Sequence, residues 1–140
     1  MTVPDLIPIA YEPHYRTDTI GHWAGGQFLA HVTWAPARTG CWVVLHTFDP
    51  AGRHLGSTVE LVPVPGDSDA RLHQLLDGLP GREYGDIAIA PFAEHRDGDL
   101  FGLVLESHGE YPPGEEQFDW AELYPCRLGF GAPWDGTYDT

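Results

Sequence analysis

Lysine is absent from the 140 residues of this chain, and all seven basic residues are arginine. Against them stand 21 Asp and Glu residues, which give a formal net charge of -14. An acidic field of this size repels phosphate backbones and anionic lipid head groups. The composition therefore excludes nucleic acid and membranes as partners, and it favours a basic protein partner.

Long apolar runs are missing as well. No stretch approaches the roughly 20 apolar residues that a membrane-spanning helix requires, and the N-terminus lacks the basic start and apolar core of a secretory signal. Nothing around Cys41 or Cys126 indicates an oxidising compartment, so we expect no disulfide between them. Together these absences predict a cytoplasmic protein.

The residue types that are abundant indicate a turn-rich globular domain. Hydrophobic residues make up 42% of the chain, which is enough to bury a core. The 17 glycines and 13 prolines show no repeat period and indicate many tight turns. We therefore predict a single α+β domain over residues 1–140, mostly antiparallel β-sheet with a meander and a hairpin, and with one short amphipathic helix packed on one face.

The first half of the chain predicts the meander. Residues 20–34 are typical of two strands around a turn at 24–26, and residues 41–48 are rich in β-branched and aromatic side chains. The Asp-Pro-Ala-Gly run at 49–52 is typical of a type I turn closed by a left-handed glycine. Residues 53–61 should therefore return antiparallel to the preceding strand.

Residues 67–81 change to a helical period. An Asp or Ser at the start can cap the first turn, and Gly78 and Pro80 end the helix. The apolar stripe, which predicts that the helix lies across one face of a sheet, consists of Leu72, Leu75, Leu76 and Leu79.

The second half predicts the hairpin and one more strand. Residues 87–92 and 100–105 flank the Asp-Gly turn at 96–99. Pro91 cannot donate to a ladder of hydrogen bonds, so its strand should lie at an edge or carry a bulge. Beyond a loop, one more strand is expected around residues 121–124, and an irregular tail follows it.

Two histidines are candidate metal ligands. His31 and His46 fall in neighbouring predicted strands and could share one face of the sheet. A zinc site needs three or four converging ligands, and these histidines have no recognised ligand spacing. Hydrogen bonds from half-buried histidines to backbone carbonyls are the alternative, so we predict neither a metal nor another cofactor.

Motifs of nucleophilic catalysis and nucleotide binding are not found in the sequence. Ser57, Ser68 and Ser107 lack the G-x-S-x-G setting of a nucleophile elbow. The Gly25-Gly26 pair is followed by a predicted strand rather than a helix, so it cannot cradle phosphate. The sequence therefore identifies no catalytic residue, and a non-enzymatic protein is favoured.

Acidic residues concentrate in the last third of the chain. No Asp or Glu occurs in residues 19–48, whereas eleven occur in residues 94–140. Some of these acids have helical spacing, although helix and strand both stay open there, and a solvated face is the alternative to carboxylate catalysis. Trp134 either docks the tail on its own domain or contacts a partner. The residues assigned to partner binding are Glu110, Glu115, Glu116, Asp119, Glu122 and Trp134.

Several segments, which are spread along nearly the whole chain, resemble a known family. They include the Pro-Gly-Arg-Glu-Tyr-Gly-Asp run at 80–86. The full set is residues 15–21, 27–29, 48–55, 80–89, 101–104, 120–125 and 133–140. These segments resemble small acidic actinobacterial proteins labelled formate hydrogenlyase regulatory protein HycA. The resemblance implies a soluble, non-enzymatic protein and supplies no catalytic residues.

Three functional hypotheses follow. The first is a cytoplasmic protein-interaction module, regulatory or inhibitory in the manner of acidic antitoxin and immunity proteins, which present carboxylates to a basic partner. The alternative is a small-molecule-binding or metal-dependent enzyme with a pocket between sheet and helix, in which His31, His46 and a carboxylate act as ligands. The third is a structural subunit that associates through a strand edge.

Overall fold

The computed structural model describes residues 3–109, 111–112 and 117–139. The chain divides into two compact units. The first unit is Tyr11–Ile87, and the second unit is Met1–Ala10 together with Ala88–Thr140. Mostly antiparallel sheet and a single helix in the described ranges confirm the predicted α+β fold class. The interpretation of residues 1–140 as one domain stays a prediction.

Short strands dominate the described part of the chain. In chain order they are β1 (Ile7–Ile9), β2 (Ile20–Trp23), β3 (Gly26–Trp34), β4 (Gly40–Phe48), β5 (His54–Pro63), β6 (Glu83–Tyr84), β7 (Ile87–Ile89), β8 (Phe92–Arg96), β9 (Asp99–Glu106), β10 (Trp120–Tyr124), β11 (Leu128–Gly131) and β12 (Tyr138–Asp139). Helix α1 spans Ser68–Asp77. Strands β1 and β7 form a two-stranded sheet.

The first unit contains a five-stranded sheet in the order β5-β4-β3-β2-β6. Both predicted strand pairs are confirmed, because β2 pairs with β3 and β4 pairs with β5, all antiparallel. In the turn between β4 and β5, the Asp49 carboxylate accepts the Arg53 N–H at 2.9 Å. Gly52 has a φ of 88°, a left-handed conformation that glycine adopts without steric cost. The Asp-Pro-Ala-Gly pattern therefore specifies this turn.

Helix α1 packs on this sheet through its leucine stripe, as predicted. Asp67 caps the first turn, because its carboxylate accepts the Ala70 N–H at 2.9 Å. Leu72 and Leu76 are buried, and removing each side chain from water contributes roughly 1.5–3 kcal/mol. The buried residues of β3 and β4 in this core are Phe28, Ala30, Val43 and Leu45.

The second unit contains a meander with the strand order β12-β11-β10-β9-β8. One predicted strand is wrong: residues 87–92 do not form a single strand, because β7 ends at Ile89 and β8 begins at Phe92. The partner of β9 is therefore β8. Pro91, which has no N–H to donate, separates two strands instead of lying within one. The Asp97-Gly98 turn is confirmed, with positive φ at both residues.

The C-terminal segment is more regular than expected. Strand β10 lies where one was predicted, but β11 and β12 continue the sheet through residues expected to be irregular. Leu128 and Phe130 of β11 are buried and pair with Leu123 and Ala121 of β10. Burial of these side chains fixes a segment that alternates with glycine and has weak strand propensity.

Cys41 and Cys126 are free thiols. Within the described ranges, no helix has the length and apolar character that crossing a bilayer requires.

Candidate binding cavity

Strand β10 separates a core face from a polar face. Ala121 and Leu123 are buried, and their register places them against the apolar residues of the neighbouring strands. Side chains alternate along a strand, so Trp120, Glu122 and Tyr124 lie on the opposite face of the sheet. This second face carries the polar and aromatic groups of the candidate site.

A hollow lies on this polar face because β11 has no side chains there. Gly131 is the register partner of Trp120, and Gly129 is the register partner of Glu122. The resulting cavity has a volume of about 660 Å³, within the roughly 300–1,000 Å³ typical of ligand pockets. Its lining residues are His108, Asp119, Trp120, Glu122, Arg127, Gly129, Gly131, Ala132, Thr137, Tyr138 and Asp139.

Glu122 lies in the wall of this cavity and is only 8% exposed. Two donors compensate its charge: the indole Nε1 of Trp120 donates to one carboxylate oxygen at 3.0 Å, and Nε of Arg127 donates to the other. The Arg127 guanidinium also lies over the Tyr124 ring, 5.0 Å from its centroid. Glu122 is therefore held in one orientation, because a nearly buried carboxylate is stable only when its oxygens are hydrogen-bonded.

Tyr124 extends this network to the neighbouring strand. Its hydroxyl donates to Oε1 of Glu106 at 2.5 Å. This hydrogen bond raises the pKa of Tyr124 to about 12, because loss of the proton would place a phenolate beside a carboxylate. The Tyr124 hydroxyl consequently stays a neutral donor near neutral pH.

Asp119 is a second fixed carboxylate of the cavity. It accepts the backbone N–H of His108 at 2.8 Å and the hydroxyl of Tyr111 at 3.1 Å. The hydrogen bond from His108 is the main reason that the pKa of Asp119 lies below its usual value. The His108 ring packs on Trp120 with 4.5 Å between centroids. Asp119 therefore carries its negative charge beside an aromatic wall.

The cavity suits a cationic group. Among its described lining residues, the three carboxylates of Asp119, Glu122 and Asp139 outnumber the single guanidinium of Arg127. Carboxylates attract a cation by Coulomb forces, and the face of an indole such as Trp120 adds a cation–π interaction. A guanidinium or an ammonium group could therefore bind here through charge and ring contact together.

The structure brings together part of the predicted partner surface. Asp119 and Glu122 both line the cavity. Trp134 is not among the described lining residues; it lies between β11 and β12, where its N–H donates to the Gly131 carbonyl at 2.8 Å. The other assigned residues, Glu110, Glu115 and Glu116, lie outside the described residues.

The sequence assigned only Asp119 and Glu122 among the eleven lining residues. The unassigned ones include His108, Trp120, Arg127 and Asp139. The available signal was the alternation in Trp-Ala-Glu-Leu-Tyr, which places Trp120 beside Glu122 on one face of a strand. Because the surrounding acids have helical spacing, the sequence left both a helix and a strand open for this segment.

The two candidate metal ligands lie on one face of the first unit's sheet. His46 pairs with Leu29 and His31 pairs with Val44, so the imidazoles share a face, with ring centroids 6.3 Å apart. Burial lowers the pKa of His31 to about 4. Among the described residues, no group of three or more His, Cys, Asp or Glu side chains is arranged to hold a metal ion. The His31 ring shares a hydrogen bond with the Thr33 hydroxyl, and the His46 ring shares one with the Ser57 hydroxyl.

Comparisons with protein-family models, curated proteins and solved structures found no match to this chain. The resemblance to the HycA-labelled family therefore stays a hypothesis.

Proposed function

We propose that this chain is a protein-interaction module that receives a basic side chain of a protein partner in the cavity on β10 and β11. The observation that carries the proposal is the set of carboxylates around the indole of Trp120. A regulatory or inhibitory role in the cytoplasm is the biological form that we infer for this activity. The resemblance to the HycA-labelled proteins favours the same class of function.

Electrostatic attraction at long distance and at contact supports recognition of a basic partner. The net charge of -14 acts before contact and raises the rate of encounter. At contact, Asp119 and Glu122 act at short range, and hydrogen bonds from neighbouring residues hold both carboxylates in place. Pre-positioned acceptors lose little conformational freedom on binding. Long-range charge therefore increases the rate of association, while the cavity supplies specificity.

Arg127 gives this site an internal cation. Its guanidinium already contacts Glu122, a carboxylate that an incoming basic side chain would use. Because 67% of the Arg127 side chain is exposed, its guanidinium can move into solvent when an incoming cation replaces it at the nearly buried Glu122. Arg127 should therefore compete with the partner for the carboxylate.

A short cationic peptide can test the proposal without an identified partner. The probe is an acetylated, amidated tri-arginine peptide, and its tri-citrulline counterpart is the uncharged control of the same shape. Titration calorimetry should show binding of the arginine peptide only. Glu122→Gln combined with Asp119→Asn should weaken binding at least about tenfold, equivalent to about 1.4 kcal/mol. The matched control, Asp5→Asn with Glu12→Gln, removes two exposed acids elsewhere and should change affinity less than about twofold.

A variant expected to gain affinity for the peptide is also informative, because misfolding would not strengthen binding. Arg127→Gln should strengthen binding of the tri-arginine peptide, because it removes the competing cation from Glu122. Arg53→Gln removes the same charge at an exposed position in the first unit and serves as the control. If both variants, or both pairs of acid substitutions, change affinity equally, general charge attraction explains the binding and the cavity has no specific role.

A further inference from the structure

Ser57 is held between two imidazoles in the first unit, well removed in sequence from the binding cavity. Its hydroxyl oxygen lies 2.5 Å from Nδ1 of His46 and 2.7 Å from Nε2 of His54. His46 is fully buried, whereas Ser57 and His54 are half-buried. All three side chains belong to the β4 and β5 pair, so a rigid part of the sheet positions them.

A β-bulge creates this arrangement. Ser57 pairs with His46 in regular register and therefore shares its face of the sheet. His54 precedes Ser57 by three residues, a spacing that places side chains on opposite faces of a regular strand. The register shift opposite Thr47 and Phe48 pairs His54 with Phe48 and so turns its ring to the face of Ser57. Bulges are frequent next to active sites because they redirect a side chain in this way.

The chemistry of the hydroxyl is the same in either tautomeric arrangement. Ser57 has one hydroxyl proton, which it can donate to only one of the two neutral rings, and the other ring then donates its N–H to the serine oxygen. If His54 accepts, His46 is the donor, and the reverse arrangement exchanges their roles. Both arrangements pair a base that can remove the serine proton with a donor that stabilises the resulting negative charge.

Aromatic contacts fix the ring of His54, the less buried of the two histidines. The His54 ring packs against Phe48 at 5.8 Å and against His46 at 5.9 Å between centroids. A base whose ring is oriented by its surroundings is one of the geometric signatures of an activated nucleophile. In addition, among the described residues β5 is the end strand of its sheet, so Ser57 lies beside an edge that no further described strand covers.

We propose that Ser57 is a nucleophile that reacts with activated acyl compounds such as esters, an activity separate from the proposed protein binding. In the first step the serine oxygen bonds to the carbonyl carbon while an imidazole takes the hydroxyl proton. The bond to the leaving alcohol breaks, and the alcohol takes that proton. Water then bonds to the acyl carbon while the imidazole takes a proton from it. The bond from that carbon to the serine oxygen breaks, the acid leaves, and the imidazole returns the proton to Ser57.

A fluorophosphonate probe tests the reactivity directly. The Ser57 oxygen bonds to phosphorus, the bond from phosphorus to fluorine breaks, and the serine proton leaves with fluoride. We expect peptide mass spectrometry of the folded wild-type chain to locate the adduct on Ser57. Ser68 and Ser107 are internal controls, because Ser68 begins helix α1 and the Ser107 hydroxyl donates to the Gly109 carbonyl. Neither should be labelled.

Variants distinguish a Ser57 hydroxyl that is activated by its neighbouring imidazoles from one that is merely exposed. Ser57→Ala should abolish labelling and Ser107→Ala should leave it unchanged, while His54→Gln should slow it at least about tenfold. Urea-unfolded wild-type chain is the control for folding, and it should lose the labelling of Ser57. An unlabelled folded wild-type chain would overturn the proposal, as would equal labelling of Ser57, Ser68 and Ser107. Because the adduct is located in the wild-type chain, neither result depends on the folding of a variant.

Discussion

Titration of His31 should make the stability of the chain depend on pH. The residue is 8% exposed, and its Nδ1 lies 2.9 Å from the Thr33 hydroxyl oxygen. Nε2 of His31 has no hydrogen-bond partner among the described residues. Because an imidazolium would lose its hydration here, burial lowers the pKa of His31 from 6.5 to about 4. The folded chain therefore favours the neutral ring.

The sign and size of the change in stability follow from the pKa of His31 in the unfolded chain, 6.5, and in the folded chain, about 4. Between about pH 4 and 6.5 the unfolded chain binds the His31 proton and the folded chain does not. The stability gained from the neutral ring is thus fully present above 6.5 and is lost as the pH falls through about 4. Each pKa unit corresponds to about 1.4 kcal/mol, so the loss reaches about 2 kcal/mol by about pH 4.5.

Urea unfolding followed by tryptophan fluorescence, repeated from about pH 7 to about pH 4.5, can measure this loss. His31→Asn keeps a polar group near Thr33 but cannot titrate, so its unfolding free energy should fall about 2 kcal/mol less than that of the wild-type chain. His73→Asn changes an exposed histidine of α1 and should retain the wild-type pH dependence. Equally steep losses for His31→Asn and the wild-type chain would refute the reasoning.

Two further predictions concern helix α1. Leu76→Ala should lower the unfolding free energy by about 2–5 kcal/mol because the side chain is fully buried. Leu75→Ala should lower it less because that side chain is half-buried. Equal losses in urea unfolding would contradict the assigned helix face. Asp67→Ala should cost about 1 kcal/mol by removing the cap on Ala70. Asp67→Ser can still accept this hydrogen bond, so the same measurement should show that the Ser variant recovers most of the lost stability. A Ser variant as unstable as the Ala variant would argue against the cap.

Local sequence patterns were sufficient to predict the fold class and the best-defined elements. The turn at 49–52 and the helix after Asp67 depend on residues close together in sequence, and both are found where they were expected. The strand expected around residues 121–124 is also present, as β10. These features form because propensity, turn chemistry and burial favour the same structure.

Features that depend on partners distant in sequence were not predictable in the same way. The choice of β8 rather than β7 as partner of β9 depends on where Pro91 interrupts the chain. Strands β11 and β12 are fixed by burial against β10 rather than by their own propensity. The approach of His54 to Ser57 requires a bulge, which a period of two cannot reveal.

The glycines of β11 make the size of the cavity adjustable independently of its charge. Gly129 and Gly131 do not have positive φ, and a Cβ at either position would meet Trp120 at an ordinary distance, 3.5 Å or 3.6 Å. The backbone therefore does not require glycine there, and what these residues supply is volume. A series from Gly131 to Ala and then Val would narrow the opening stepwise while every carboxylate stays in place. Selection by the width of an incoming group and selection by its charge are thus encoded on different strands.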